Sequence, residues 1–562
     1  MAAKPINLRK TKKLLFDILR PETGFFTVVI VYSMGIGLLT LAVPIAVQTL
    51  INTVVNIAST RSVLLLAGIL LATLVFSGIF AALRTRVMEY YERRIYARLT
   101  ASLSLRTIQA PHAFFEGRQN AAITQRYFEI MTLQKNIPSI MIDGFALILQ
   151  MLVGFTLVSF YHPLLFAFNA IVLALVYLVW RLWANQAKRT AILLSHAKYD
   201  TAKWLQDISS AHTFFKSSQH LRYAAGQTEA LIGNYTKQHA GHFRYTFSQT
   251  VSYLMLYALA SAALLGLGGW LVVQGQLSVG QLVAAELIMS VVFFGISRFS
   301  QYLKLYYELY GAAEKMGSAL YMPQEEVVSA DKPIPQNSQL HFHDVELHFR
   351  KEHSTLHVAL QCAGKYFVTT DRSWLQRDVI HLLKCYEKPK HGWIQLGALS
   401  LADYHTYALR QAIAVVDRSL IVECSVREYL RMAAPSATEG EMWKVLSDLQ
   451  LSAIIKQLDE GMDTRLSSLG NPLQPMAFLL LKLAAAVLSS PCVVVLNQHF
   501  DAIPLPLRQQ LLRYLEQAEF TVLYFTSAVQ PDYFQATIAL HDHAVVHQHD
   551  AFTASQGDGH DL

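Results

Sequence analysis

Six long apolar segments before residue 300 constrain the fold more than any other feature of this 562-residue sequence. A helix that crosses a bilayer needs about 20 mostly apolar residues, and each segment reaches that length. The segments are 25–51, 62–83, 137–161, 163–183, 251–273 and 279–299, of which the last is the least apolar. Only 15% of all residues are charged, against roughly 25% in an average soluble domain. We therefore predict six transmembrane helices.

The connections between these segments alternate in length. Three are short, at 52–61, 161–163 and 274–278, whereas 84–136 and 184–250 are long and rich in Lys and Arg. The positive-inside rule places the long connections and both termini in the cytoplasm. The net charge of +7 collects at the predicted membrane edges, which favours lipid head groups over nucleic acid as a partner. The first apolar segment is too long for the core of a cleavable signal peptide, so we expect none.

Both long connections have the periodicity of helices that continue past the bilayer. Pro111 interrupts the first, and the string DISSAHTFFKSSQ (207–219) interrupts the second. Aromatic and charged side chains follow each break. They are Phe114, Phe115 and Glu116 in the first turn and Phe214, Phe215 and Lys216 in the second. We expect them to contact a cytoplasmic domain, and the alternative is aromatic contact with lipid.

The remainder of the chain reads as a soluble α/β domain. The strings VVVL (493–496) and TVLYF (521–525) are typical of buried strands, and MAFLLLKLAAAVL (476–488) of a buried helix. The four Cys residues show no C-x-x-C spacing, so we predict reduced thiols and no metal site. The His-rich string HDHAVVHQHD (541–550) is more typical of a solvated surface than of a metal centre.

Several short strings, in this order and spacing, resemble the ABC exporter family over essentially the full chain. FFEGRQNAAITQRYFEI (114–130) resembles the first intracellular turn, GQLSVGQLVA (275–284) the segment before the sixth helix, and FHDVELHF (342–349) the strand that opens the nucleotide-binding domain. The resemblance implies an α-helical membrane domain followed by an α/β P-loop-NTPase-like domain. It divides the chain into a transmembrane domain (1–322), a linker (323–339), a nucleotide-binding domain (340–550) and a tail (551–562).

The positions that carry ATP chemistry in this family are replaced here. The phosphate loop falls on Thr370–Asp378, which contains no glycine and no lysine, and the strand motif that ends in Asp-Glu ends in Asn497 and Gln498. Amides keep the shape of carboxylates but carry no negative charge. The replaced positions are Gln376, Arg377, Asp417, Gln474, Asn497, Gln498 and Ser527. Phe349 matches the aromatic residue that stacks on adenine. An amidase-like site at Asn497 and Gln498 is the alternative, but no nucleophile is paired with them.

We therefore expect a pseudo-ATPase domain without a functional P-loop, with no catalytic residue and no cofactor in this chain. ATP and Mg²⁺ are expected on an intact half-transporter that pairs with this chain as a heterodimer. The first intracellular turn resembles the type I secretion branch, which implies a peptide or protein cargo and a periplasmic adaptor. The compact six-span layout indicates the bacterial inner membrane. Asp143 and Glu286 lie within predicted spans and are candidates for the substrate pathway, since charges buried in a membrane are usually functional.

Two other functions remain open at this stage. One is a membrane-anchored scaffold or regulatory protein that does not transport. The other is a nucleotide sensor that binds without turnover. An intact half-transporter as partner would favour the exporter, and a stable homodimer without one would favour the scaffold.

Overall fold

The computed structural model describes residues 8–22, 28, 31–35, 46, 49, 60–115, 120–326, 331–349 and 352–549. The chain divides into two compact units, Met1–Glu325 and Glu326–Leu562. The first unit is helical, and the second combines sheets with helices.

Very long helices make up the first unit. Its helices are α1 (Leu8–Leu19), α2 (Thr60–Ile108), α3 (His112–Phe115), α4 (Asn120–Ser139), α5 (Phe145–Ser159), α6 (Pro163–Ser210), α7 (Ser218–Val273) and α8 (Val279–Leu320). Short 3-10 turns occupy Arg20–Glu22 and Phe214–Lys216. Because a span uses about 20 residues, α2, α6, α7 and α8 continue well past a bilayer, as predicted.

Five helical segments in the described part of this unit are long and apolar enough to cross a membrane. They contain five of the six predicted spans, and the first predicted span, 25–51, lies largely outside the described residues. Both predicted interruptions are confirmed. Helix α2 ends at Ile108, just before Pro111, and α6 ends at Ser210, within the second interrupting string.

A π-helical turn at Ile140–Gly144 divides the third predicted span. It follows Pro138, which lies inside α4. Proline has no N–H for the carbonyl one turn earlier and its ring crowds that carbonyl, so the regular ladder is disturbed here. Wider turns of this kind are frequent at functional sites. The sequence analysis predicted an uninterrupted span and missed this turn.

Helices α5 and α8 pack closely within one apolar cluster of the helical unit. Gly154 of α5 lies directly against Val292 and Ile288 of α8, so that a methyl group at residue 154 would collide with Val292. Val292 and Ile288 are fully buried. A second cluster joins α1, α2, α4 and α8 around Tyr91, Ile95 and Ile137. Two apolar clusters therefore hold the helices of this unit together.

The second unit contains three sheets. Its strands are β1 (Leu340–Phe349), β2 (Glu352–Leu360), β3 (Lys365–Thr370), β4 (Trp393–Leu396), β5 (Leu399–Ser400), β6 (Ile413–Val416), β7 (Cys424–Ser425), β8 (Arg465–Leu466), β9 (Val493–Leu496), β10 (Thr521–Phe525), β11 (Ala536–Leu540) and β12 (Ala544–Gln548). An antiparallel sheet has the order β2-β1-β4-β5, a second sheet the order β12-β11-β3-β10-β9-β6, and β7 pairs with β8. In the six-stranded sheet only β12 is antiparallel.

Helices cover the six-stranded sheet. They are α9 (Ser373–Leu383), α10 (Thr406–Ala412), α11 (Val426–Ala433), α12 (Glu439–Asp448), α13 (Ser452–Lys456), α14 (Pro475–Leu488) and α15 (Leu505–Glu516). Short 3-10 turns occupy Leu401–Asp403, Gly461–Asp463 and Gln498–Ala502. One apolar core lies around α14 and β9, and another lies between the two larger sheets. The two predicted strands and the predicted buried helix are confirmed as β9, β10 and α14.

Candidate functional site

All five parallel strands of the six-stranded sheet end at one edge. Strands β3, β6, β9 and β10 are parallel neighbours in that sheet, and each is followed by a polar residue. These residues are Asp371, Asp417, Asn497 and Thr526. In open α/β sheets ligands bind at the carboxyl ends of the strands, which makes this edge the candidate site. Six of the seven replaced positions lie at or beside it: Gln376, Arg377, Asp417, Asn497, Gln498 and Ser527.

The connection from β3 to α9 is only two residues long, Asp371 and Arg372. Arg372 is bound to Asp542, with its guanidinium nitrogen 2.8 Å from a carboxylate oxygen. Asp371 lies 3.4 Å from the imidazole of His541. The Trp374 indole N–H donates to Glu352 over 2.7 Å. The side chains that begin α9 are thus tied to neighbouring strands of this unit.

Gln376 and Arg377 differ in their surroundings. The Gln376 side chain is buried, and its amide nitrogen has no hydrogen-bond partner among the described residues. Arg377 is exposed and pairs with Asp378, 3.0 Å away. Burial raises the pKa of the Asp378 carboxyl, and Arg377 opposes that effect.

Asn497 and Gln498 begin the short turn that follows β9. The Asn497 side-chain oxygen accepts the backbone N–H of His499 over 2.9 Å and so caps the 3-10 turn that follows β9. The backbone N–H of Asn497 donates to the carbonyl of Val416 on β6. The Gln498 side chain is exposed. No nucleophile is bonded to either amide among the described contacts, so nothing here supports the amidase alternative.

Asp501 is the residue of this edge that the sequence analysis missed. Its carboxylate accepts from the hydroxyl of Tyr524, from Thr526 Oγ1 at 2.7 Å and from the backbone N–H of Ser527 at 3.0 Å. Arg508 contributes a nitrogen 3.4 Å away. Asp501 therefore joins the turn after β9 to the end of β10. Its position four residues after Asn497 was the only signal in the sequence.

Lys482 was also missed, although it is the only charged residue in the apolar string of α14. Its buried ammonium lies 3.3 Å from Asp417 Oδ1 and 3.0 Å from Ser419 Oγ. Asp417 also accepts from the backbone N–H of Ser419 over 2.9 Å. Burial lowers the pKa of Lys482, and the carboxylate of Asp417 opposes that effect. Together they attach the segment after β6 to α14.

The remaining positions lie at the ends of other elements. Gln474 is exposed and directly precedes α14, without a side-chain capping bond. Ser527 donates both its N–H and its hydroxyl to Asp501. Phe349 is the last residue of β1. Among the residues that the structure describes, no three His, Cys, Asp or Glu side chains are placed to share a metal ion.

The side chains of the β3–α9 connection do not fit a polyphosphate. Asp371 brings negative charge, and the indole of Trp374 is occupied by Glu352. The first turn of α9, where the Leu375 N–H already donates to the Arg372 carbonyl, is the part of the backbone that this connection offers to an anion. We derive no catalytic step from these residues.

The two turns that the sequence predicts to lie in the cytoplasm carry aromatic rings. Phe114 and Phe115 in α3 pack edge to face, with ring centroids 5.4 Å apart, and Glu116 lies outside the described residues. In the second turn Phe214 is 57% exposed and stacks on His220, whereas Phe215 packs against Trp204. Phe214 is thus available for a partner and Phe215 supports the turn, which Lys216 ends.

The two acidic pathway candidates lie at different levels of the helix bundle. Asp143 belongs to the π-helical turn and lies 3.5 Å from the Arg84 guanidinium of α2. Glu286, near the other end of the span, accepts from Ser290 over 3.3 Å, and its second oxygen is buried with no partner among the described residues. The structure therefore does not bring Asp143 and Glu286 together in one site.

Comparisons with known proteins agree with this architecture. Residues 26–297 match the family model of the ABC transporter transmembrane region. The leukotoxin translocation ATP-binding protein LktB of Mannheimia glucosida is 20% identical over 493 residues, which cover 85% of this chain and 68% of that protein. LktB of Bibersteinia trehalosi matches to the same extent. A solved bacterial Atm1-family ABC exporter with ATP bound superimposes with a TM-score of 0.81 at 15% identity, over 96% of this chain and 98% of that chain.

The comparisons contradict the prediction that this chain is a pseudo-ATPase and not an enzyme. The similar curated proteins are named as ATP-binding proteins, and the similar solved structure has ATP bound. The prediction is wrong because it equated replaced side chains with lost activity. Backbone N–H groups at a helix start bind phosphate independently of side chains, and a missing motif does not measure hydrolysis.

Three findings lead to one assignment. They are the membrane-spanning helices with long extensions, the sheet whose parallel strands end at one polar edge, and the matches over both units. Residues 26–297 match the ABC transporter transmembrane region, and the chain as a whole has the fold of a bacterial Atm1-family ABC exporter.

Proposed function

We propose that this chain is a half-transporter that exports a peptide or protein cargo with energy from ATP. The observation that carries the proposal is the similarity to leukotoxin translocation ATP-binding proteins, which extends over 85% of the chain and so includes both units. The helical unit forms half of the translocation pathway, and the second unit is the ABC-type domain that drives it.

A second half-transporter completes the pathway in this proposal. The most apolar part of the segment Val63–Ile108 in α2 has none of its residues buried within the chain. Leu64, Leu65 and Ile69 are all more than half exposed there. Lipid or a second transmembrane domain covers such a surface, because a large exposed apolar face marks a membrane or protein contact.

The second half-transporter is proposed to be a different chain that binds ATP and Mg²⁺. Phosphate chemistry of this class uses a lysine for the phosphate charge and carboxylates for the metal and the water. Positions 376, 497 and 498 of this chain carry Gln, Asn and Gln. In the proposed heterodimer, the partner carries its own lysine and carboxylates for ATP and Mg²⁺.

The proposed setting is the bacterial inner membrane with both termini in the cytoplasm. The Lys and Arg residues of the long connections support this orientation. A periplasmic adaptor would receive the cargo on the other side. Asp143 and Glu286 are proposed to contact cargo at two successive levels of the pathway.

Purification from the native host tests the exporter and its partner together. The tagged chain is isolated in mild detergent, co-purifying proteins are identified by mass spectrometry, and the sample is assayed for ATPase activity. An equimolar ATP-binding half-transporter with ATPase activity supports the heterodimer. ATP hydrolysis by this chain alone would replace the heterodimer with a homomeric exporter. A sample with neither partner nor ATPase activity contradicts the exporter function and favours the scaffold.

The proposed coupling turns have their own test. Phe214→Ala removes an exposed ring and should uncouple cargo transport from ATPase activity, while leaving the thermal midpoint of the complex unchanged. Phe243→Ala is the matched control, since Phe243 on α7 is also about half exposed but lies far from the turn. Equal transport by both variants would show that Phe214 does not act in coupling.

A further inference from the structure

Three aromatic rings surround the ammonium group of Lys188. The nitrogen lies 5.1 Å from the ring centroid of Tyr310, 5.3 Å from that of Tyr306 and 5.7 Å from that of Trp180. A cation within about 6 Å of a ring face is attracted by the ring quadrupole, and cages of several rings bind ammonium ligands. We call Trp180, Tyr306 and Tyr310 the aromatic cage.

The cage is built by packing between two helices and does not depend on Lys188. Trp180 belongs to α6, and the two tyrosines are one turn apart on α8, where their hydroxyl groups lie 3.2 Å from each other. Tyr310 is 2% exposed. Trp180 and Tyr306 also pack against the apolar core of the helical unit. The rings are therefore held in place whether or not a cation is present.

Within the described part of the chain, the three rings are the contacts that hold the Lys188 ammonium. No described carboxylate lies within 4 Å of its ammonium, in contrast to Lys198 of the same helix, which lies 2.7 Å from Glu129. The positive charge of Lys12 on α1 repels the Lys188 ammonium. Because no described counter-ion retains the Lys188 ammonium and Lys12 repels it, another ammonium group can take its place between the rings.

The position of the cage suits a place where cargo enters. Lys188 is 25 residues from the start of α6 at Pro163, which corresponds to about 37 Å of helix. The hydrocarbon core of a bilayer is about 30 Å thick. Lys188 therefore lies just beyond the membrane and Trp180 lies near the end of the predicted span 163–183, on the side where the positive-inside rule places the cytoplasm.

We propose that the aromatic cage is a binding site for a lysine side chain of the polypeptide cargo, and that Lys188 occupies it in the absence of cargo. The occupant seen in the structure identifies the ligand, because the three ring distances already fit a primary ammonium. This inference rests on the proposed function for the origin of the ligand. Binding to the site itself can be measured without ATP, partner or transport.

The experiment measures equilibrium binding of radiolabelled Nα-acetyl-L-lysine N-methylamide to the purified full-length chain in nonionic detergent. Lys188→Ala empties the cage and should tighten binding about tenfold relative to the natural chain. Adding Trp180→Leu to Lys188→Ala should abolish that gain. Lys203→Ala is the matched control, because Lys203 lies about four turns further along α6 and should leave binding unchanged. Gel filtration and thermal unfolding establish that each variant is folded.

Three results would overturn the inference. Lys188→Ala that binds the probe no better than Lys203→Ala would show that the cage only packs against Lys188. A gain that survives Trp180→Leu would place the binding elsewhere. Tighter binding of glycerophosphocholine than of the lysine probe would assign the cage to lipid head groups. If the chain binds the lysine probe tightly through the cage but exports nothing, the binding site is supported and the proposed function is refuted. The two proposals can therefore fail independently.

Discussion

At the scale of single residues, the most consequential contact in the second unit is the one between Lys482 and Asp417. A charge taken out of water is costly unless it is paired and hydrogen-bonded. Lys482 is 6% exposed, and its partners are Asp417 and Ser419. The pair joins the segment after β6 to α14, and this contact holds Asp417 in place at the polar edge.

Removal of the counter-charge at Asp417 should destabilise the second unit. Asp417→Asn leaves the Lys482 ammonium bonded to Ser419 but unneutralised, and we expect a loss of about 1–3 kcal/mol in unfolding free energy. Asp417→Asn combined with Lys482→Met should recover much of this loss, and denaturant unfolding measures both. Asp403→Asn, at an exposed carboxylate, is the neutral control. A double variant as unstable as Asp417→Asn would contradict the role of the pair.

Lys384 predicts a pH dependence of stability. Burial, together with the nearby charge of Arg410, lowers the pKa of Lys384 to about 8, whereas an unfolded lysine has a pKa near 10.4. Between these two values the unfolded chain binds more protons than the folded chain, so the contribution of Lys384 makes stability rise with pH.

The comparison of Lys384→Met with the natural chain isolates this contribution. The advantage of Lys384→Met in thermal midpoint should be largest near about pH 7 and should shrink by about pH 9.5, as the native lysine loses its proton. Calorimetry of the full-length chain in detergent measures it, and the exposed Lys444→Met should show a constant difference. A Lys384→Met difference that does not change with pH would contradict the lowered pKa.

At the scale of elements, small residues decide how closely the helices of the first unit approach. Gly154 on α5 lies against Val292 and Ile288 of α8. Gly266 on α7 has no atom within 4 Å of the position that a Cβ would take. Both are glycines within long apolar helices, so they form a matched pair with different surroundings.

Gly154→Ala should separate α5 from α8, whereas Gly266→Ala should be harmless. We expect Gly154→Ala to cost about 1–3 kcal/mol through overpacking and Gly266→Ala to be neutral or stabilising by up to about 1 kcal/mol, because alanine favours a helix. Thermal unfolding in detergent compares the two variants. Equal midpoints would mean that α5 and α8 do not pack as closely as the structure indicates.

At the scale of the whole molecule, each unit has its own core. The clusters around Gly154 and Tyr91 belong to the helical unit, and those around α14 and between the sheets belong to the second unit. Detergent shields the apolar helices of the first unit, whereas urea acts fully on the soluble surface of the second. The two units should therefore unfold separately.

Thiol labelling can follow the second unit alone, because all four Cys residues lie in it. Cys424 is 5% exposed and should become reactive at a urea concentration at which helical circular dichroism, dominated by the first unit, is still largely retained. Cys362 is exposed and should react without urea, which provides an internal control. If helicity is lost at the same urea concentration at which Cys424 becomes reactive, the two units unfold as one.

The sequence by itself determined the class of the protein and the place of its main elements. Five predicted spans, both interruptions of the long helices, and β9, β10 and α14 could be found from the sequence because apolar runs and breakers act locally. The carboxyl edge of the sheet could be located as well, since parallel strands end together. The sequence also predicted a pseudo-ATPase, and the comparisons contradict this prediction. Replaced residues alone do not show whether a chain hydrolyses ATP.

Tertiary structure decided which side chains meet. The bond of Lys482 to Asp417 spans 65 residues, that of Asp501 to Ser527 spans 26, and the aromatic cage joins α6 to residues more than a hundred positions later. No local pattern encodes such contacts, because they depend on how helices and strands pack in three dimensions. For the same reason the sequence did not show that Asp143 and Glu286 lie at different levels of the bundle.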